Sequence, residues 1–160
     1  MENKERKIAT RELEKNLKPL PDAKELILLN RKFTREEFER ISVGLIPLGM
    51  DEEWFAFLEN NILYFHRSWT GKCIYQIHFV TEENFYIAPE VWVNRDANQY
   101  KETDKHYDEK LLLFLIENLL LGNNTPFPIP NDISKEYPKG AFQHSVAGTG
   151  YPEIEIEKED

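Results

Sequence analysis

Four apolar runs joined by short polar connections constrain the fold of this chain most strongly. No connection is longer than six residues, and the runs span residues 54–58, 62–66, 73–80 and 85–93. Antiparallel strands can be joined by a two-residue turn, whereas parallel strands need a crossover of about a dozen residues or more. The sequence therefore predicts an antiparallel β-meander of about four strands.

Local signals refine this meander at two places. Asn60 and Asn61 stand between the first two runs, and asparagine tolerates the positive φ that a tight hairpin requires. Pro89 lies inside the fourth run, where it removes an amide donor from the strand. We therefore expect a tight turn at the asparagines and an edge position or a β-bulge at the proline.

A long helix is predicted in the second half of the chain, over residues 105–121. Thr103 or Asp104 supplies its N-terminal cap, and Gly122 stands where a left-handed C-terminal cap is expected. Its apolar face is broad, so we expect it to lie across the sheet, because both surfaces are too apolar to face water.

The first third of the chain carries weaker helix signals. Thr34 and Glu37 fit a capping box, which predicts a helix over about residues 35–43. Residues 9–18 fit a short helix that is stopped by prolines. The apolar burst at residues 24–29 is too short for its periodicity to distinguish a strand from the end of a helix.

The predicted fold class is therefore α+β, with an antiparallel meander packed against a long helix and short N-terminal helices. Its length, 160 residues, suits one domain over residues 1–160. The compact part is expected over about residues 24–122. We expect the N-terminal tail and the loop-rich residues 123–160 to wrap the domain or to be flexible.

Charge and cysteine content narrow the partners and the compartment. The net charge of −9 disfavours nucleic acid and anionic membranes as partners, and it suits a basic protein partner. The single cysteine, Cys73, lies in an apolar run, which predicts a buried thiol in a reducing compartment. Neither a signal peptide nor a membrane-spanning run is recognisable, so a cytoplasmic protein is expected.

The connection between the second and third runs is the best candidate for a site. It contains Arg67, Ser68, Trp69, Thr70 and Lys72. Two cations and two hydroxyls around a glycine are the local composition of an anion or phosphate pocket, and the indole is suited to stacking on a flat ring. The alternative is an ordinary hairpin whose tryptophan folds onto the sheet and whose cations are solvated.

Residues outside the turn extend this candidate site. Arg95 follows the fourth run and joins the turn if that strand returns beside the hairpin. His66 and His78 fall on the less apolar face of their strands and are candidate cleft residues, although the sequence favours for each, and more strongly for His78, a role as a satisfied histidine at the sheet surface. Strand alternation places Arg67 on the opposite face from His66, and it places Cys73 on the core face.

Several common catalytic and binding motifs are absent from the sequence. It contains no GxxxxGK[ST] loop, no GxGxxG, no GxSxG and no HExxH. One cysteine and four histidines also make a structural zinc site improbable. We accordingly expect no metal and no cofactor.

The run LYFHRSWTGKCIY at residues 63–75 resembles a group of small uncharacterised bacterial proteins or domains that share an HRSWTG motif. Asn94, Arg95 and Asp96 match more weakly, and the helix ending in Leu-Leu-Leu-Gly matches too; the resemblance covers the middle third to half of the chain. Such domains sometimes accompany ADP-ribose-handling domains, which implies a ligand with phosphate and a ring. The resemblance carries over no catalytic residue.

Three hypotheses follow for function. The first is a binding domain for a nucleotide or ADP-ribose-like phosphorylated molecule, with Arg67, Lys72 and Arg95 on phosphate and Trp69 on a ring. The second is an acidic protein-interaction module of the antitoxin or immunity type. The third is an enzyme that uses His66 with Arg67 and Asp96 as general acid, base and anion holder.

Overall fold

A computed structural model describes residues 8–48 and 53–128, which form an α+β fold around one antiparallel sheet. The sheet has five strands in the order β1-β5-β4-β3-β2. The strands are β1 (Lys24–Ile27), β2 (Trp54–Glu59), β3 (Ile62–Arg67), β4 (Cys73–Glu82) and β5 (Phe85–Asn94). The four-strand meander is thus confirmed in outline, and the apolar burst after residue 23 adds a fifth strand at the edge.

Two helices accompany the sheet. Helix α1 (Arg35–Val43) begins at Thr34, where the predicted capping box with Glu37 is formed. Helix α2 (Lys105–Phe114) is capped by Asp104 and continues as a π-helical stretch (Leu115–Leu120). Its end at Gly122, with φ 76°, agrees with the predicted left-handed cap.

The main core lies between α2 and one face of the sheet, which we call the helix face. Trp54, Phe65 and Tyr75 pack together there and are fully buried. Leu111, Leu112 and Leu115 of the long helix belong to the same cluster. This confirms the predicted packing of the helix on the sheet, because each surface removes the other from water.

The opposite side of the sheet, the outer face, is covered over β2 and β3 by residues 8–20, which we call the N-terminal segment. Ala9 packs with Phe55 and Phe57 in a second, smaller buried cluster. The backbone amide of Ala9 donates to the Val43 carbonyl at 2.8 Å. The segment therefore forms a layer over the hairpin.

Two local predictions about the sheet are confirmed. Asn60 and Asn61 have φ of 54° and 64° and join β2 to β3 by a two-residue turn. The register of β4 with β5 shifts between His78 and Val80, so that Ala88 and Pro89 together face one residue of β4. Pro89 thus lies at a bulge in an inner strand, where a missing amide donor is tolerated.

The helix predicted near the start of the chain is mostly absent, and the loop-rich region predicted near its end is described only in part. The helix predicted for residues 9–18 is reduced to a single 3₁₀ turn, Arg11–Leu13, because the segment packs on the sheet in an otherwise extended form. Most of the predicted loop-rich region, residues 129–160, lies outside the described residues. Among the described helices, none has the length and apolar character needed to cross a membrane.

Candidate functional site: a cleft beside His66

A β-bulge positions the centre of the candidate site. Phe65 pairs with Tyr75 but His66 pairs with Cys73, so Ile74 is an extra residue in β4. The side chains of Ile74 and Tyr75 both join the main core. The prediction that Cys73 shares the core face with Tyr75 is therefore wrong, because the inserted residue reverses the alternation.

His66 lies on the outer face, with its ring stacked on Phe57 at 5.8 Å between centroids. Its side chain is 2% exposed. Nδ1 lies 2.9 Å from the Gly71 carbonyl oxygen. A carbonyl oxygen only accepts hydrogen bonds, so Nδ1 carries the proton and donates it.

The other ring nitrogen of His66 is the unusual atom of the site. Nε2 is buried, and within residues 8–48 and 53–128 it has no hydrogen-bond partner. Burial lowers the pKa of His66, against a smaller raising effect of the Gly71 hydrogen bond, because desolvation disfavours the imidazolium. At neutral pH, Nε2 therefore presents a lone pair that can accept a hydrogen bond.

Gly71 connects the N-terminal segment to the hairpin. Its carbonyl also accepts a hydrogen bond from the backbone amide of Lys18 at 2.9 Å. Its φ is 76°, and a Cβ at this position would lie 2.0 Å from the Asn16 carbonyl oxygen. Only glycine satisfies both the left-handed backbone and the close approach of the segment.

Between the N-terminal segment and the sheet lies a cleft of about 310 Å³. This volume is at the lower end of the range typical for small-molecule sites. The segment supplies one wall and strands β3 and β4 supply the floor. The lining residues are Arg11, Leu17, Lys18, Pro19, Leu20, Tyr64, His66, Cys73 and Gln76.

The charged side chains that line this cleft are both cationic. Lys18 is exposed, and the guanidinium of Arg11 lies 5.2 Å from the Tyr64 ring centroid. Arg11 also pairs with Glu59 through a 2.7 Å contact, and this hydrogen bond raises the arginine pKa. Glu59 is not a lining residue, so the cleft presents two cations, one of them already shared with a carboxylate.

Cys73 is not a reactive group in this cleft. The residue is 1% exposed, and its thiol donates a weak hydrogen bond to the Tyr75 carbonyl at 3.6 Å. Burial raises its pKa to about 12. A thiol rather than a thiolate therefore lines the cleft at neutral pH, which confirms the predicted small hydrophobe and leaves no nucleophile.

Of the seven residues that the sequence nominated, His66 lines the cleft and Arg67 faces away from it. As alternation predicted, the two lie on opposite faces of β3. The guanidinium of Arg67 lies 4.8 Å from the Trp54 ring centroid, on the helix face, and pairs with Glu53. A carboxylate therefore already holds this cation.

The rest of the turn, residues 68–72, connects β3 to β4. Trp69 is 59% exposed, and the backbone amide of Ser68 donates to the Glu53 carbonyl at 2.9 Å. The Thr70 hydroxyl accepts a hydrogen bond from the Lys72 amide at 3.3 Å. The turn thus adjoins the cleft through Gly71, while these four side chains are not among the lining residues.

Arg95 belongs to a buried network on the helix face. It pairs with Glu25 and with Asp108, both at 2.8 Å. Asp108 is fully buried and also accepts hydrogen bonds from the hydroxyls of Tyr75 and Tyr100, at 2.7 and 2.6 Å. This network ties α2 to the sheet, and its cation is compensated by two carboxylates.

The residues of the enzyme hypothesis are not grouped as that hypothesis requires. Asp96 accepts a 2.9 Å hydrogen bond from the amide of Asn98 and a 3.4 Å bond from the side chain of Gln99, within the turn after β5. His66 faces the outer side of the sheet and Arg67 faces the helix side. Asp96 is not among the residues that line the cleft with His66.

A second groove, of about 460 Å³, lies beside the residues that follow β1. Arg31, one of its charged lining residues, pairs with Glu37 at 3.0 Å and with Glu117 at 2.7 Å. None of the buried polar atoms that lack a partner in the described part of the chain belongs to the lining of this groove. The cleft beside His66 is therefore the better candidate for a polar ligand.

Comparison of the chain with protein-family models, curated proteins and solved structures gave no significant match. The resemblance to HRSWTG-containing proteins thus stays a prediction. In residues 8–48 and 53–128, no group of three or more histidine, cysteine or acidic side chains could hold a metal ion.

Sequence reasoning missed the two cationic lining residues, Arg11 and Lys18. They lie about 50 positions from the strands that they approach, as in the Arg11–Glu59 pair with its separation of 48 residues. No local pattern signals such a contact. Gln76, by contrast, lies two positions before His78 in β4 and so shares the less apolar face on which the sequence places that histidine, and it lines the cleft.

Proposed function

We propose that this protein is a small-molecule-binding domain and that its ligand, a phosphorylated molecule of about mononucleotide size, occupies the cleft beside His66. The observation that carries the proposal is a buried imidazole nitrogen without a partner in the described chain, on a histidine that lines a cleft whose charged lining side chains are Arg11 and Lys18. A buried polar atom costs free energy unless a partner satisfies it. A bound ligand would supply that partner.

The electrostatics of the lining support an anionic ligand. Lys18 is exposed and can close on a phosphate, while Arg11 is held in place by Glu59 and by the aromatic rings beneath it. Charge-assisted hydrogen bonds to phosphate are among the stronger polar contacts in proteins. In this proposal Lys18 and Arg11 take the phosphate-holding role that the sequence suggested for Arg67, Lys72 and Arg95.

The dimensions of the cleft favour a small ligand. About 310 Å³ is close to the lower limit for sites that enclose a drug-sized molecule. We therefore propose a mononucleotide or a sugar phosphate as the ligand class, rather than a larger nucleotide sugar such as ADP-ribose. The hydroxyl of Tyr64 and the amide of Gln76 offer hydrogen bonds to the uncharged part of such a molecule.

A calorimetric and thermal-shift titration with AMP, ribose 5-phosphate, ADP-ribose and inorganic phosphate tests this function. Ligand at one hundred times its dissociation constant stabilises the folded state by about 2.7 kcal/mol, which is easily measured. We expect stabilisation by AMP or ribose 5-phosphate. If none of the four compounds stabilises the protein, the proposed function is wrong.

Two substitutions in the same segment localise the effect. Lys18→Ala should weaken binding by about tenfold, because a charge-assisted contact is worth roughly 1.5 kcal/mol or more. Lys15→Ala is the matched control: Lys15 is exposed in the same segment but does not line the cleft, so its loss should leave the affinity unchanged. Equal weakening by both variants would indicate a general charge effect instead of a site.

A further inference from the structure

The fixed tautomer of His66 specifies which groups its ligand must offer. We propose that the ligand of this cleft donates an N–H or O–H hydrogen bond to Nε2 of His66, so that the site selects phosphorylated molecules with a neutral donor over bare anions. This inference rests on the proposed function and specifies the ligand class. It concerns one atom of the site, and it fails separately if that atom does not act as an acceptor.

The geometry of the Gly71 carbonyl carries the first step. The carbonyl oxygen lies 2.9 Å from Nδ1 of His66 and also accepts a hydrogen bond from the Lys18 backbone amide. Both contacts require donors, so the proton of a neutral His66 is held on Nδ1. Nε2 is then an acceptor, and an anionic oxygen placed against it would meet a lone pair.

The surroundings of His66 carry the second step, because they keep the ring neutral and in place. Phe57 of β2 stacks on the His66 ring. The cleft that His66 lines also contains two cations, Arg11 and Lys18. A positive charge on the ring would be disfavoured by burial and by the nearby charge of Arg11. No carboxylate is among the lining residues of the cleft to stabilise an imidazolium.

These two steps imply that the charged end and the neutral part of a ligand contact different residues of the cleft. Arg11 and Lys18 suit the anionic end of a ligand, whereas His66 suits a donor on its neutral part. Gln76, with an amide that both donates and accepts, lines the same cleft. An exocyclic amino group of a nucleobase and a sugar hydroxyl are the two sources of such a donor, and they share the chemistry that Nε2 requires.

AMP and two analogues, each of which lacks one kind of donor, distinguish these sources. AMP carries both donors, purine riboside 5′-monophosphate lacks the amino group, and 2′,3′-dideoxyadenosine 5′-monophosphate lacks the ring hydroxyls of the sugar. We expect one of the two analogues to bind about tenfold or more weakly than AMP, because the donor that it lacks would leave the buried acceptor Nε2 unsatisfied. The analogue that weakens identifies the donor.

Variants and a spectrum test the role of the imidazole itself. His66→Phe should abolish the discrimination between AMP and the weaker analogue, because phenylalanine keeps a flat ring but has no hydrogen-bond acceptor. His78→Phe should preserve it, since Nε2 of His78 is likewise buried and without a partner among the described residues, but His78 does not line the cleft. Long-range ¹H–¹⁵N spectra of the ligand-free protein at pH 7 should show His66 with its proton on Nδ1, a result that does not depend on the folding of either variant.

The outcomes separate this inference from the function on which it rests. If AMP and both analogues bind with equal affinity, or if the spectra show the proton on Nε2 or an imidazolium, the inference is wrong while the binding function stands. If none of AMP, ribose 5-phosphate, ADP-ribose and inorganic phosphate binds, the proposed function is wrong and the inference fails with it.

Discussion

Replacing Gly71 by alanine tests how the N-terminal segment is docked and thereby how the cleft is formed. At φ 76° the added Cβ would lie 2.0 Å from the carbonyl oxygen of Asn16. That oxygen belongs to the backbone, so it cannot move away without shifting the segment. Gly122 has the same φ, but a Cβ added there would have nothing within 4 Å, which makes Gly122→Ala a matched control.

The expected magnitudes follow from these two environments. A left-handed alanine costs about 1–2 kcal/mol at either position, and alanine lowers the entropy of the unfolded chain equally in both variants. Gly71→Ala also displaces the segment, which endangers the 2.9 Å hydrogen bond from Lys18 and so costs roughly another 0.5–1.5 kcal/mol. We therefore expect it to destabilise the protein by about 1 kcal/mol more than Gly122→Ala does.

Urea unfolding followed by tryptophan fluorescence measures this difference, since the free energy of unfolding falls linearly with denaturant. In a thermal scan the difference corresponds to roughly 2–4 °C for a chain of this size. Equal destabilisation by the two variants would refute the reasoning, because it would mean that the segment does not press against Gly71 in solution.

Three further predictions address other parts of the structure. Asp108→Asn should lower the free energy of unfolding by about 1.5–3 kcal/mol, measured by urea unfolding, because it weakens the hydrogen bonds that Arg95, Tyr75 and Tyr100 donate to the carboxylate while Glu25 still compensates Arg95. Thr34→Ala should cost about 1 kcal/mol in the same assay by removing the cap of α1. Burial lowers the pKa of His66 from the usual 6.5, so the unfolded chain binds more protons below that pH and stability should fall as the pH drops from 6.5 towards the folded-state pKa. Urea midpoints at pH 7.5 and 5.5 should show a smaller decrease in His66→Gln, and an identical decrease would contradict the assignment.

The sequence allowed the strands and helix ends to be predicted because their signals are local. Thr34 and Glu37 lie three residues apart and form the expected capping box, and Asn60 and Asn61 form the expected turn. Pro89 marked its own bulge, because a missing amide donor is incompatible with a regular inner strand.

The site was harder to predict, because distant contacts determine it. The bulge at Ile74 has no marker such as proline or glycine, yet it moves Cys73 to the outer face beside His66. The partners of Arg67 and Arg95 are carboxylates 14 and up to 70 residues away in sequence. A cation in a polar turn therefore resembled a ligand-binding group until its partner was known.

The central claim is that a small phosphorylated ligand binds between the N-terminal segment and the sheet, and an NMR titration tests it most directly. Amide resonances in ¹H–¹⁵N spectra of the full-length chain are followed during addition of AMP and, separately, of ribose 5-phosphate. The account predicts saturable shifts concentrated at Lys18, Tyr64, His66 and Gln76. Saturable shifts confined to Arg95 and the exposed turn at residues 68–70, or no saturable shifts at all, would contradict it.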